Sequence, residues 1–532
     1  MPATVSSSCN RQRTWYNLPM SVSNIGKLRQ LLRNLIASKL TAYAPVIVGT
    51  CASLIIVANA LGSDSGFLSP DSTNYLRLVE TLRSGQGFFV PNDGRGVAQD
   101  AFFAVWPVGY PAAIFALSSI TGLDAFWASK ALNILVYLST ILVVLAYFGR
   151  NGRLLVLVLL FGSYLAIFSF TWSEGPFILL LLALALATNR AMSQSGFLFV
   201  ASVAWMSALI GALFLTRYVG LVGAVALLIV FVDRVRKRDR WSAALVVAMG
   251  LSVILVTGAY LSLNIELTGY ATGSARVPSF ESSSELAVQL IKAVVHEAIF
   301  PVAFWSPSSV IQGSVVFVQF LLISVLGVFA IRAKRHVLAR QDEVVMFVIG
   351  AVYLLTIISL RWVSAFDDYN YRLLAPGTLL VLLPTFSLLL RSTQKLKSLT
   401  VLLLTYSALA STTLHVHGRL TEAGSYDQAT QQRLERYSSL PTGAIVVFGE
   451  PHVKYLRPDI HVAYPFGNRY VYDPSTQEPW AAFIESLDPS RDVYLEVSSR
   501  ALWTLSSSQY SESVGEAIAQ HQHAEGAIVH ID

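Results

Sequence analysis

Eleven apolar runs, separated by short polar or basic breaks, constrain this chain more than any other feature. They fall near 42–61, 125–148, 153–169, 175–190, 197–215, 218–232, 241–262, 313–331, 343–360, 373–390 and 398–414. A bilayer crossing takes about 17–25 mostly apolar residues, and in hydrocarbon a helix is the simplest way to satisfy every backbone group. Only 13% of the 532 residues are charged, against about 25% in soluble domains. The composition therefore predicts an all-α polytopic membrane protein of about eleven transmembrane helices. Such a chain is excluded from the soluble enzyme classes over most of its length.

A twelfth stretch, WPVGYPAAIFALSSITG (Trp106 to Gly122), is as apolar as some of these and decides the topology. If it lies in the interface, 21 Lys and Arg residues fall on the side of the N-terminus and only 9 in the outer loops and outer span ends of the membrane part. The excess marks the cytoplasmic side. If it crosses, the densest basic loop, DRVRKRDR (Asp233 to Arg240), is sent outward. The non-crossing reading wins, and Pro107 and Pro111 suit an interfacial helix entry. It places the N-terminus in the cytoplasm and the C-terminus outside. Residues 1–40 read as a cytoplasmic tail, with no small-residue cleavage site of a secretory signal. The two cysteines, Cys9 and Cys51, offer no disulfide framework.

This topology puts Asp71, Glu174, Arg217 and Arg372 on the outer face. The inner loops are short and basic and carry no nucleotide-binding signature. Chemistry is then expected outside the cytoplasm, where nucleotide-activated donors are normally absent. A group-transfer enzyme there needs a donor already carried in the membrane.

The apolar pattern ends near 414, which divides the membrane part (41–414) from a C-terminal part (415–532). The latter reads as a small extracytoplasmic α/β domain. Gly443–Gly449, Arg491–Val497 and Ala527–His530 have strand character, and Pro479–Leu487 has helical character. About 115 residues suffice for one core. No catalytic constellation stands out there, so a supporting or acceptor-binding role is expected. No repeat of solenoid period occurs.

Asp71 opens the segment PDSTNYLRLVETLRSGQGF, in which Tyr75, Leu78, Val79 and Leu82 recur at helical spacing. A partly desolvated carboxylate at the mouth of a membrane helix can serve as a general base. The alternative is that Asp71 merely caps the helix. Glu174, in TWSEGPF, either contacts an acceptor or metal or simply complements a helix dipole. Arg217 and Arg372 lie between apolar spans, where an arginine is costly unless paired or snorkelling. Their planar forks suit bidentate phosphate contact, and Lys130 is a weaker version of the same idea. Asp367-Asp368 is a further candidate for a divalent cation, against the plainer reading of two solvated carboxylates. His296-Glu297, without a second histidine one turn on, argues little for metal. No Ser-His-Asp arrangement and no metal-spaced Cys/His cluster is present.

Several short patterns then occur in order: PDSTNYLRLVETLRSGQGF, WPVGYPAAIFAL, SKALNILVYL, TWSEGPFILLLLALA, ALFLTRYVGL and YNYRLLAPGTLLVLLP. Over roughly residues 40–390 the chain resembles the GT-C superfamily of polytopic glycosyltransferases. The resemblance is to bacterial relatives of dolichyl-phosphate-mannose protein mannosyltransferases and aminoarabinose transferases. It implies juxtamembrane helices in the first outer loop, at 106–122, and a multi-pass location in a bacterial inner membrane. It also implies a polyprenyl-phosphate sugar donor and Asp71 as catalytic base. Lys130, Arg217 and Arg372 become candidates for the donor phosphate, Glu174 the second outer-loop acid, and Tyr75 a further substrate contact. The acceptor is a lipid, glycan or protein, and nucleic acid is not expected. Two departures bear on cofactors. Ser72 stands where a second acid is usual, and Glu174 replaces an aspartate; both departures weaken the case for a bound metal, and a divalent cation stays open.

The expected activity is sugar transfer from a polyprenyl-phosphate donor to an acceptor hydroxyl on the outer face, with inversion. Two rivals remain. A transporter or flippase for lipid-linked sugars would place polar groups near the midplane in paired repeats. An inactive scaffold of envelope assembly would bind polyprenyl phosphate without turnover.

Overall fold

The structure is a computed structural model. It describes residues 40–91, 100–274, 276, 278–279, 281–300, 310–332, 339–421, 424–463, 492–496 and 528–531. Among these, ten helices are long and apolar enough to cross a membrane. The N-terminal tail and the expected helix Pro479–Leu487 lie outside the described residues.

The helices follow the apolar runs closely, from Leu40–Leu61 to Gln394–Thr421. One run departs from the expected straight span. The stretch expected to cross at 153–169 is two pieces, Gly152–Leu160 and Gly162–Ser169, bent by 69° at Phe161. Phe161 has an extended backbone, and the Gly162 amide leaves the helical ladder to donate to Phe300 O at 2.7 Å. Counting the bent pair as one span gives eleven. Another run, 218–232, begins as a 3₁₀ turn, Tyr218–Gly223, before the helix Ala224–Arg236.

The disputed stretch 106–122 forms a 13-residue helix, Gly109–Thr121, too short to be a candidate span. It packs with the Pro70–Arg83 helix and with Ala125–Phe148. Tyr75, Leu78, Val79, Tyr110 and Ile114 form a core there that is distinct from the larger one among the spanning helices. A 3-residue hairpin pair, Phe89–Pro91 with Asp100–Phe102, sits beside it. A 16-residue amphipathic helix, Ser283–Ala298, is closed at its N-terminus by a Ser282–Glu285 capping box.

Beyond the last long helix, Tyr426–Arg436 leads into a four-stranded sheet. Ile445–Val447 pairs in parallel with His461–Ala463 on one side and Val493–Glu496 on the other; Val493–Glu496 pairs antiparallel with Ile528–Ile531. The all-α membrane part with a small C-terminal α/β unit matches the expected fold class. The strand His461–Ala463 and the helix Tyr426–Arg436 were not expected, being short or largely polar.

Candidate active site

The polar centre is built at the N-termini and breaks of four helices. Ser69 caps the Pro70–Arg83 helix by accepting from the Ser72 amide, while the Ser69 amide donates to Ser72 Oγ at 3.0 Å. Pro70 takes the first helical position, where its missing N–H costs nothing. Asp71 sits in the first turn but is not the cap, so its carboxylate is available for other contacts. Glu174 opens the Glu174–Ser193 helix. Arg217 lies in extended backbone at the break between Gly196–Thr216 and Tyr218–Gly223. Arg372 follows the Asn370 cap of Tyr371–Arg391.

These groups meet on one guanidinium. Arg372 donates through Nε to Glu174 at 2.6 Å, through Nη1 to Asp367 at 3.2 Å, and through Nη2 to Asp71. Its flat face lies 4.7 Å from the Trp172 ring. Trp172 in turn donates its indole N–H to Ser69 Oγ at 2.7 Å, tying this platform to the cap of the Asp71 helix. Glu174 is fully buried and also pairs with Arg217, so it holds both arginines. A buried carboxylate shared by two guanidinium groups is the arrangement in which its desolvation is offset.

A cavity of 260 Å³ opens beside this centre. Asp71, Tyr75, Arg217 and Arg372 line it, together with Arg276 and Asp367. Thr216, Ile357 and Leu360 bring the walls of two spanning helices to it. The Tyr75 hydroxyl lies 3.4 Å from Ser173 Oγ, and burial, with the Asp71 carboxylate second, pushes the phenol well above its usual range. Tyr75 is thus a neutral hydrogen-bonding group.

Lys130 is not part of this cavity. It is 1% exposed and donates to Phe67 O at 3.2 Å and Ser169 O at 2.9 Å. Asn133, one turn on, donates to Phe168 O and Phe170 O at 3.0 and 2.6 Å. Together they supply donors to the carbonyls at the end of the Gly162–Ser169 helix, where intrahelical partners run out.

Arg276 is the lining residue that sequence reasoning passed over, counting it only as one outer charge. Its Nε donates to Thr272 Oγ1 at 2.9 Å, and among the described residues it makes no ion pair with a carboxylate. Its loop is pinned at one end by Gly273, where φ is +72° and a Cβ would collide with the Ala104–Val105 backbone. At the other end, Ser279 and Glu281 accept from Arg361 at 3.3 and 2.5 Å. The signal missed was the glycine inside TGYATGSAR.

Among the described residues no group of three or more His, Cys, Asp or Glu side chains is arranged to hold a metal ion. Asp71, Glu174 and Asp367 do converge, but the guanidinium of Arg372 stands between them. Asp367 and Asp368 face different arginines, Arg372 at 3.2 Å and Arg361 at 3.7 Å.

No family model matches the chain. No curated protein matches it either. Among solved structures, it is similar to ArnT from Cupriavidus metallidurans bound to undecaprenyl phosphate. That match has 14% identity and a TM-score of 0.44, and covers 88% of this chain and 96% of that one. It is also similar to the Archaeoglobus fulgidus oligosaccharyltransferase in its apo form. There the identity is 12% and the TM-score 0.49, with 85% and 69% of the two chains covered.

Proposed function

We propose that this protein is a membrane glycosyltransferase that moves a sugar from a polyprenyl-phosphate donor to an acceptor hydroxyl. The observation that carries the reading is the Arg372 fork, which joins Asp71 to two further carboxylates at the wall of a cavity between spanning helices. A reactive carboxylate, three arginines and apolar helix walls in one recess match a substrate with a phosphodiester head and a lipid tail. The outer-face orientation, the extracytoplasmic placement of residues 415–532 and a bacterial inner membrane belong to the same proposal.

The roles follow from the contacts. Among the described residues Arg276 pairs with no carboxylate, and its guanidinium lines the cavity where the donor phosphate would sit. Arg372 is shared, and a phosphate arriving beside it competes with Asp71 for the same N–H groups. Loss of that contact leaves Asp71 with an unengaged carboxylate oxygen. The acceptor O–H then gives its proton to Asp71, while the acceptor oxygen forms a bond to the anomeric carbon. The bond from that carbon to the phosphate oxygen breaks with its electron pair, and polyprenyl phosphate leaves. In-line attack inverts the anomeric centre. Fixed arginines lower the barrier by offsetting the charge that grows on the leaving phosphate.

The test uses purified protein in lipid, labelled undecaprenyl-phosphate sugars and an envelope extract, comparing wild type with Asp71→Asn. The expected result is transfer by wild type, loss of transfer in the variant, and retained binding of undecaprenyl phosphate by both. Equal transfer by both would remove Asp71 from the chemistry. Absence of transfer by wild type would overturn the reading.

A further inference from the structure

The C-terminal sheet has the strand order that usually creates a ligand crevice. From the central strand Ile445–Val447 the chain moves to one neighbour, His461–Ala463, and later to the other, Val493–Glu496. In open parallel sheets such a reversal leaves a crevice at the carboxyl ends of the strands. Here that crest is filled by the protein itself. Glu496, at the end of its strand, accepts from the Glu450 amide at 2.7 Å and from the Tyr437 hydroxyl. The Glu450 carboxylate pairs with Arg433, and His452 Nδ1 lies 3.4 Å from it.

The same crest residues reach across to the membrane part. Arg433 Nη1 donates to Asp64 O at 2.8 Å, and His452 Nε2 lies 3.2 Å from Ser65 O. The Ser425 amide donates to Asp64 Oδ1 at 3.0 Å. Tyr426 stacks on Phe126 at 3.9 Å, and its hydroxyl meets that of Tyr455 at 2.7 Å. Gly66 lies under this stack with φ +57°, where any Cβ would press on Tyr426 and Phe126. The Arg433, His452 and Ser425 contacts fall on Asp64 and Ser65, and the Tyr426 ring lies over Gly66. All three lie in residues 62–68, the loop that delivers Ser69 and hence the cap of the Asp71 helix. The stack on Phe126 anchors the same unit to the Ala125–Phe148 helix. A second hold falls on the helix itself: Arg77, 1% exposed, donates through Nη2 to Ile460 O at 3.0 Å.

We propose that the crest of the C-terminal unit is a clamp that sets the position of Asp71, with Arg433 and Arg77 as positioning residues. The inference rests on the reading of Asp71 as the reacting group. The Asp71 helix is only 14 residues long, and its first turn is held on the cavity side by Arg372. The clamp fixes the other side, so the carboxylate cannot follow Arg372 when a phosphate displaces it. The C-terminal unit thus serves catalysis through position.

The experiment measures hydrogen exchange and turnover in the full chain in lipid nanodiscs for wild type, Arg433→Ala, Arg433→Lys and Asp64→Ala. Loss of the clamp is expected to speed exchange at Asp64–Tyr75 by about tenfold, the signature of easier local opening. Exchange at Ile445–Val447 stays unchanged. With labelled undecaprenyl-phosphate sugar, kcat falls while the donor KM holds, and Arg433→Lys recovers part of the loss. If Arg433→Ala also loosens Ile445–Val447, Asp64→Ala, which leaves the sheet untouched, decides. Unchanged exchange at Asp64–Tyr75, or faster exchange with unchanged kcat, overturns the clamp. If wild type moves no sugar, the proposed function fails and exchange across Asp71–Tyr75 alone decides the clamp.

Discussion

Replacing Arg372 with lysine keeps the charge and removes the fork, which separates electrostatics from geometry at the centre of the site. The arginine serves three carboxylates through three different nitrogens, Nε to Glu174, Nη1 to Asp367 and Nη2 to Asp71. An ammonium is a single point of charge and cannot span them. A hydrogen bond to a charged group contributes about 1.5–3 kcal/mol, and a lysine that keeps one of the three forfeits two. Arg372 keeps 12% of its side chain exposed and Asp71 23%, and partial solvation screens such contacts. The lower end of the range is therefore appropriate, about 3 kcal/mol, or roughly a hundredfold in rate if the organisation is needed in the transition state. The stacked face against Trp172 is lost as well. Initial rates in proteoliposomes, measured across donor concentration, read the effect on kcat/KM. Thermal unfolding of the same preparation reports whether the helices remain assembled. Arg372→Lys within about threefold of wild type, on a folded protein, would refute the claim that the fork organises the site.

Lys130→Met is expected to lower thermal stability, because it leaves Ser169 O without its buried donor, at about 1–3 kcal/mol per unsatisfied group, while Phe67 O keeps the Thr171 amide. Binding of undecaprenyl phosphate should be unchanged; weakened binding with unchanged stability would assign Lys130 to the donor instead. Glu297 accepts from Ser163 at 2.7 Å and Thr378 at 3.1 Å, and burial pushes its carboxyl up to about 7. The folded state then holds a proton that the unfolded state releases, so stability falls as pH rises from 4.5 to about 7. At about 1.4 kcal/mol per pH unit, Glu297→Gln should remove up to about 3 kcal/mol of that fall. Unfolding of both proteins at about pH 5 and pH 8 checks the difference between them, and parallel pH profiles would contradict it.

What the sequence disclosed and what it withheld divide along the range of the interactions. Apolar runs report burial residue by residue, so the spanning helices are legible from composition alone. The short Gly109–Thr121 helix is legible because Pro107 and Pro111 punctuate it locally. The bend at Phe161 is not, because its cause is the Phe300 carbonyl, which lies far along the chain and captures the Gly162 amide. The two readings of Asp71, cap or reactive group, could not be separated by spacing. The capping hydrogen bond is made by Ser69, so Asp71 is not the cap. Lys130 and Arg217 look alike in sequence, each a lone cation in an apolar context. One ends on backbone carbonyls and the other on Glu174, a choice set by which helix end packs opposite. Glu174 shows why counting acids is a weak guide to metal. A third carboxylate added to Asp71 and Asp367 raises the local demand for positive charge, and that demand is met by whichever cation the fold supplies. In this chain it is Arg372, whose three nitrogens give each carboxylate a separate donor. In the proposed mechanism the same three contacts make the arginine exchangeable between Asp71 and an incoming phosphate, so the residue that assembles the resting site also couples donor arrival to release of Asp71.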